Sequence, residues 1–278
     1  MRIDVVTRLR AAGCVFAEDE AELLVSAARD PADLATMVDR RAAGEPVEHI
    51  VGWAEFCGLR IAVDPGVFRP RPRTELLVRL AVELAPPRPV VLDLCCGSGA
   101  LGAAVASALD GVELFAADLD PAAVRCARRN VAGAGGQVFE GDLFGALPAA
   151  LCGRVDVLVA NAPYVPTASI ALMPGEARLH EPLVALDGGV DGLDVVRRVV
   201  AAAAAWLAPG GHLLVETSDA QAPRVVEAVT RHGLIPRVVT SDELETVVVI
   251  AGRPDVRSGG PTPPAPWSAA GSGPAPPA

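Results

Sequence analysis

The sequence predicts an α/β protein with a mostly parallel, doubly wound sheet and a small helical domain before it. From Val90 to about Arg253, short apolar runs alternate with segments of helical periodicity. This alternation is typical of parallel strands joined by helices on both faces of a sheet. The runs themselves, such as "VDVLVA" at residues 155–160, are almost continuously apolar, as in strands that are buried on both faces.

The first 45 residues contain apolar residues at helical spacing only, which predicts a helical domain over residues 1–45. Asp30-Pro31 is a typical helix start, with an N-cap and a first-turn proline, and Gly44 is a typical stop. Residues 46–89 are predicted to be a connector. It contains one short strand, "LRIAV", and the proline-rich link "FRPRPR".

The main domain is predicted over residues 90–253. Its strands are predicted at "VVLDL", "VELFAAD", "QVFEGD", "VDVLVAN", "GHLLVETS" and "VVVIAG", and its helices at "SGALGAAVASAL", "PAAVRCARRNV", "DVVRRVVAAAAAWLA" and "APRVVEAVTRHG". Residues 254–278 are rich in Pro, Gly, Ala and Ser and are predicted to be a disordered tail. The role of Trp267 in this tail is left open.

Composition limits the classes of function. The net charge of −10 argues against a protein that coats nucleic-acid phosphates, because that needs clustered cations. The six cysteines have no spacing typical of a zinc site, so we expect free thiols in a reducing cytosol and no metal centre. The apolar runs are too short to span a bilayer, which predicts a soluble cytoplasmic protein.

Carboxylates at the ends of three successive strands predict the cofactor. Gly97-x-Gly99-x-x-Gly102 matches the dinucleotide fingerprint, but Asp93 before this turn would repel a pyrophosphate and suits an ammonium and a sulfonium. Asp118 ends the next strand, where it can bind a ribose diol. Asp142 ends the third strand, and apolar residues that can flank an adenine follow it. This pattern favours S-adenosylmethionine over NAD, while Asp118 and Asp142 could also be ordinary capping or turn residues.

The fourth predicted strand ends on Asn161-Ala162-Pro163-Tyr164, which resembles the N-P-P-Y motif of methyltransferases that act on amide-like nitrogens. Such a nitrogen is a poor nucleophile because its lone pair is delocalised. An asparagine side-chain oxygen and the next backbone carbonyl can accept both of its N–H hydrogens and so orient the lone pair toward a methyl donor. This is catalysis by positioning and electrostatics.

These motifs, together with "GEPVEHIVGWAEF" and "HEPLVALDGGVDGLDVVRRVV", resemble the HemK/PrmC family of protein-glutamine methyltransferases from residue 1 to about residue 253. The resemblance implies a Rossmann-like class I methyltransferase fold and a protein substrate, the Gly-Gly-Gln glutamine of a peptide-chain release factor. It also implies the roles of individual residues. The cofactor-binding residues would be Asp93, Cys95, Cys96, Gly97, Ser98, Gly99, Asp118, Asp142, Leu143 and Asn161, and the catalytic residues Asn161, Ala162, Pro163 and Tyr164.

Three positions depart from the family pattern. Cys95 stands where the family has glycine, Ala162 replaces the first proline of the motif, and Arg73 replaces an acid of the connector. A Cβ at residue 95 narrows the cofactor turn. The arginines of "RPRPR", Arg69–Arg73, are a candidate contact for an acidic or RNA-bound partner.

Several functions therefore stay open at this point. The alternatives are methylation of an amino group on a nucleic-acid base, methylation of a ribosomal-protein glutamine, a nicotinamide oxidoreductase and a non-catalytic cofactor-binding protein. Neither a membrane nor direct nucleic-acid binding is expected. The substrate protein and the oligomeric state are not predicted.

Overall fold

The computed structural model describes residues 2–255, so the predicted tail lies almost entirely outside the described residues, as does Trp267. The chain begins with four helices that share a hydrophobic core of their own. Asp30 caps the third helix as predicted, since its side chain accepts hydrogen bonds from Ala32 N and Asp33 N, both at 2.9 Å. The four helices are α1 (Arg2–Ala11), α2 (Ala17–Ala27), α3 (Pro31–Ala42) and α4 (Val47–Val51).

A hairpin and a further helix join these helices to the main sheet. Strand β1 (Trp53–Phe56) pairs antiparallel with β2 (Leu59–Ala62), and a short 3₁₀ turn at Pro72–Thr74 leads into α5 (Glu75–Leu84). The sequence predicted β2, whereas β1 and α5 were not predicted. Both pack in the same hydrophobic cluster as the core of the main sheet, so this part of the chain covers one face of that sheet.

The main sheet has seven strands in the order β5-β4-β3-β6-β7-β9-β8. The first five are parallel, and β9 runs antiparallel to both of its neighbours. The strands are β3 (Val90–Leu94), β4 (Glu113–Asp118), β5 (Gln137–Glu140), β6 (Val155–Ala160), β7 (Leu207–Thr217), β8 (Ile235–Ser241) and β9 (Thr246–Gly252), and the remaining helices are α6 (Ala100–Ala108), α7 (Pro121–Val131), α8 (Gly175–His180), α9 (Asp194–Trp206) and α10 (Ala222–Arg231).

The order of the strands determines where a ligand can bind. Strand β3 lies between β4 and β6. Strands β4 and β5 are therefore added on one side of β3, and the strands from β6 onward on the other side. The loops that leave β3 and β6 therefore diverge and open a cleft at the carboxyl ends of these strands. Both strands are buried on both faces, as predicted, because their alternate side chains belong to two different hydrophobic clusters.

Candidate functional site

The turn after β3, residues 95–99, has a left-handed backbone at three positions. Cys95, Gly97 and Gly99 all have a left-handed backbone, with φ of 56°, 54° and 77°. Gly99 also permits close packing of helices, because a Cβ there would lie 3.0 Å from the Cβ of Ala127 on α7. Cys95 is the residue without this freedom, and a left-handed conformation costs an L-residue about 1–2 kcal/mol. Burial raises the pKa of the Cys95 thiol well above its ordinary value, so the thiol is neutral.

Asp93 lies beneath this turn and is completely buried. Its Oδ2 accepts a hydrogen bond from Gly102 N at 2.9 Å, whereas its Oδ1 is buried and has no partner among the described residues. Burial raises the pKa of this carboxyl to about 7. A cationic ligand bound over the turn would favour the charged carboxylate, so Asp93 suits a ligand with an ammonium group.

Asp118 ends β4 and connects two neighbouring turns. Its Oδ2 accepts a hydrogen bond from Gly97 N at 2.8 Å, and its Oδ1 accepts one from Asp120 N at 2.9 Å. Burial raises its pKa. Of the two alternative roles for Asp118, the capping of α7 belongs to Asp120, which accepts a hydrogen bond from Ala122 N. The hydrogen bond from Asp120 N shows that Asp118 is also a turn residue.

Asp142 and Leu143 follow β5, the strand that pairs with β4. Asp142 forms an ion pair with Arg198 of α9 at 2.5 Å, and both side chains are about half exposed. Leu143 has a left-handed backbone with φ of 48°. Arg198 is a residue of the site that the sequence did not predict, because nothing near it in the sequence distinguishes it from a solvated helix position.

One cleft contains most of the predicted cofactor residues. Four of the predicted site residues do not line this cleft: Asp93, Gly99, Ala162 and Tyr164. Asp93 lies under the turn, and Gly99 begins α6. The residues that were not predicted are mainly apolar and include residues of the hairpin, the connector, α6 and the segment after β6. The predicted residues in the wall are Cys95, Cys96, Gly97, Ser98, Asp118, Asp142, Leu143, Asn161 and Pro163, and the others include Phe56, Phe68, Pro70, Thr74, Leu101 and Val184.

The motif after β6 is held at both of its ends. The Asn161 Nδ2 lies 3.4 Å from the Thr74 Oγ1. Tyr164 Oη accepts a hydrogen bond from Arg73 Nη2 at 2.7 Å and donates one to Glu216 Oε1 at 3.2 Å. Burial, together with the negative charge of Glu216, raises the pKa of Tyr164 to about 12, so the phenol is neutral. Ala162 between them is buried in the core.

The arginines of the connector have internal partners, and the sequence-based hypothesis about Arg69 and Arg71 was wrong on this point. The Arg69 guanidinium pairs with Glu48 at 2.6 Å, with Glu176 at 2.9 Å and with Glu181 at 3.2 Å. Arg71 shares Glu181 at 2.5 Å. These ion pairs connect the N-terminal helices to the segment after the motif, and the guanidinium of Arg69 is not available to a partner.

Residues 2–255 contain no group of three or more His, Cys, Asp and Glu side chains that could hold a metal ion. None of the helices in this part of the chain is long and apolar enough to cross a membrane.

Comparison with known proteins identifies the family. The family model of the methyltransferase small domain matches residues 58–178. A release factor glutamine methyltransferase from Geobacter sulfurreducens is 40% identical over 229 residues, which cover 81% of this chain and 80% of that protein. The chain belongs to the release factor glutamine methyltransferase family. The family resemblance predicted from the sequence is thereby confirmed.

Two other similarities extend this result. A 4-amino-L-phenylalanine/4-methylamino-L-phenylalanine methyltransferase from Streptomyces pristinaespiralis is 40% identical over 191 residues, covering 66% of this chain and 65% of that protein. A solved methyltransferase from Pyrococcus furiosus has the same fold, with a TM-score of 0.55 at 18% identity, covering 79% of this chain and 99% of that chain. The prediction of a class I methyltransferase fold is confirmed.

Membership in the release factor glutamine methyltransferase family makes the protein an S-adenosylmethionine-dependent enzyme, as predicted. The residues present fit this cofactor: a buried carboxylate with an unpartnered oxygen lies under the turn, and a second carboxylate lies at the end of β4. The nicotinamide oxidoreductase and the non-catalytic binding protein are therefore excluded.

Proposed function

We propose that the protein transfers the methyl group of S-adenosylmethionine to the side-chain amide nitrogen of a glutamine in a peptide-chain release factor. One observation carries this proposal: Asn161 and Pro163 of the motif lie in the wall of the same cleft as the cofactor turn and Asp118. An amide bound by the motif and a methyl donor bound at the turn would therefore share one cavity.

The residues of the motif supply position and electrostatics. When bound, S-adenosylmethionine supplies an electrophilic methyl group on a sulfonium. Asn161 Oδ1 and the Ala162 carbonyl would accept the two N–H hydrogens of the glutamine amide, which turns the nitrogen lone pair toward the turn at residues 95–98. Both acceptors also stabilise the positive charge that develops on this nitrogen. No base is needed before transfer, because the proton leaves only after the new N–C bond has formed.

The surface beside the cleft supports a protein substrate. Several large apolar side chains are exposed on the segment that follows the motif, and Val184 among them also lies in the cleft wall. Exposed apolar residues that adjoin a functional cleft are typical of protein interaction sites. The net charge of −10 and the internal ion pairs of Arg69 and Arg71 argue against direct nucleic-acid binding. The exposed side chains are Leu172, Leu179, Leu183, Val184 and Val190.

A cytoplasmic location is part of this proposal, because translation termination takes place there. A second candidate activity is N-methylation of a small aromatic amine that carries a carboxylate. It is favoured by Arg73, whose side chain is 45% exposed beside the motif and can bind a carboxylate.

The decisive experiment compares acceptors in parallel. The protein is incubated with isotopically labelled S-adenosylmethionine and with intact release factor, a Gly-Gly-Gln peptide, 4-aminophenylalanine, a ribosomal protein or DNA. We expect label in the release factor, and a mass increase of one methylene on its glutamine. Labelling of 4-aminophenylalanine but not of release factor would replace the proposal with the second candidate, and labelled DNA would refute both.

A pair of variants tests whether the exposed apolar segment binds the substrate protein. Leu179→Ser with Leu183→Ser should raise KM for intact release factor and leave KM for the short peptide unchanged. The matched control is Ile235→Ser with Val238→Ser, which removes equally exposed apolar side chains from the distant edge strand β8. Equal KM values for both double variants would mean that the segment does not contact the release factor.

A further inference from the structure

Two consecutive residues of the connector contact the first and the last residue of the catalytic motif. Thr74 Oγ1 lies 3.4 Å from Asn161 Nδ2, and Arg73 Nη2 donates to Tyr164 Oη at 2.7 Å. These partners are 87 and 91 residues apart in the sequence. The 3₁₀ turn that carries Arg73 and Thr74 therefore lies along the whole motif.

A buried carboxylate fixes one end of this arrangement. Glu216 is only 1% exposed, and its Oε1 accepts hydrogen bonds from Arg73 Nε and Tyr164 Oη, both at 3.2 Å. Its other oxygen is buried and has no partner among the described residues. Glu216 lies in β7 and is paired with Val248 of β9, so the position of its backbone is set by the sheet.

The residue type at position 73 matches this environment. An acid facing a buried Glu216 would place two negative charges side by side, which is unfavourable at low dielectric. The arginine instead neutralises Glu216 and, through a second nitrogen, binds the hydroxyl of Tyr164.

We propose that Arg73, Thr74 and Glu216 are positioning residues for methyl transfer: they hold Asn161 and Tyr164 in place and thereby orient the acceptor groups between them. We call these three residues the clamp. The inference about catalysis rests on the proposed function, because it needs the motif to bind the acceptor nitrogen. The contacts within the clamp can be tested without any substrate.

The substrate-free test uses the ionisation of Tyr164. The chain contains a single tyrosine, so the ultraviolet absorbance of phenolate reports on this residue alone. In the wild-type protein Tyr164 should ionise with a pKa of about 12, because it is buried beside Glu216. Two charged groups act on the pKa of Tyr164: Glu216 raises it and Arg73 lowers it. Glu216→Gln should therefore lower the pKa of Tyr164, and Arg73→Ala should raise it.

The control for this titration is Arg154→Ala. Arg154 is as exposed as Arg73 and pairs with an exposed carboxylate, Glu113, so its loss should leave Tyr164 unchanged. Circular dichroism at each pH would verify that the protein is folded where the phenolate forms. A wild-type pKa near the ordinary value of 10, or identical values in all variants, would overturn the clamp.

The catalytic test distinguishes an effect on the orientation of the reacting groups from an effect on the stability of the fold. Thr74→Val keeps the volume of the side chain and removes the hydroxyl, and it removes no helix cap, because the Thr74 side chain makes no capping hydrogen bond to α5. With saturating S-adenosylmethionine, Thr74→Val and Arg73→Ala should each lower single-turnover methylation by about 10- to 100-fold, the effect of a small misplacement of reacting groups. The donor Kd should be unchanged in Arg73→Ala, because Arg73 does not line the cleft, and Thr74→Ser should restore most of the rate that Thr74→Val loses.

Different experimental results would refute the two proposals. Wild-type rates in Thr74→Val and Arg73→Ala, with Arg154→Ala as the control, would overturn the clamp while leaving the proposed function intact. A wild-type protein that methylates none of the tested acceptors would overturn the proposed function. In that case the titration of Tyr164 alone would test whether the contacts of the clamp exist.

Discussion

The change in the free energy of unfolding caused by Asp93→Asn in the ligand-free protein is expected to be more favourable at high pH than at low pH. The reason is the burial of Asp93, which raises the pKa of its carboxyl from 3.8 to about 7 in the folded state. Asparagine keeps an oxygen that can accept the hydrogen bond from Gly102 N, and it is neutral at every pH. The variant therefore removes the titration and retains the shape of the side chain.

The sign and the size follow from proton linkage. The unfolded carboxyl loses its proton near pH 3.8, whereas the folded carboxyl keeps its proton until about pH 7. Between these values the folded state binds more protons, so the wild-type protein loses stability as the pH rises and keeps that deficit above pH 7. The deficit due to Asp93 is about 2 kcal/mol at pH 5 and about 4 kcal/mol at pH 8.

The assay is urea unfolding of both proteins at about pH 5 and pH 8. Other groups that titrate in this range are present in both proteins, so their contributions cancel in the comparison. The stability gained by Asp93→Asn should be about 2–3 kcal/mol larger at pH 8 than at pH 5. A difference below about 1 kcal/mol would mean that the Asp93 carboxyl is not as strongly perturbed as its burial requires.

Four further predictions concern single positions of the site. Asp118→Ala should weaken donor binding by about 1–3 kcal/mol, measured by calorimetry, and an unchanged Kd would contradict its assignment to the ribose. Asn161→Ala should cost about 3 kcal/mol in single-turnover methylation, since it removes an acceptor for developing charge. Ala162→Pro should change that rate by less than about tenfold, because only the carbonyl is used; an inactive variant would indicate a different substrate geometry. Cys95→Gly should be more stable to unfolding than Cys95→Ala by about 1 kcal/mol, because φ is positive there, and the reverse order would contradict the strain.

The parts of the fold that were predicted from the sequence are those with a strong local pattern. Strands β3 and β6 are buried on both faces, so every residue had to be apolar or specifically partnered. Strand β8 was not predicted because it is a half-exposed edge strand with a proline at position 236, a residue that lacks the N–H of a sheet ladder. Helix α5 was not predicted because it directly follows a proline-rich link and was interpreted as part of the connector.

The same distinction applies to the site. Asp118, Asp142 and Asn161 could be predicted because parallel strands place their carboxyl ends along one edge. Thr74 and Glu216 could not be predicted, since they reach the motif only through contacts across the chain that leave no local pattern. The arginines of the connector were misinterpreted for the same reason. A run of charged residues is usually exposed to solvent, and the carboxylates that pair with Arg69 and Arg71 lie elsewhere in the sequence.

The order of the last two strands has a consequence for how the protein is made. Strand β8 is synthesised before β9, yet β9 is its only neighbour in the described sheet and lies between it and β7. At a translation rate of 5–20 residues per second, β8 waits about 0.5–2 s for the 11 residues from Ser241 to Gly252. During that time five parallel strands can already be assembled, with the edge of β7 open. The nascent chain is therefore most exposed to mispairing just before β9 emerges, and a ribosome paused between β8 and β9 would prolong that interval.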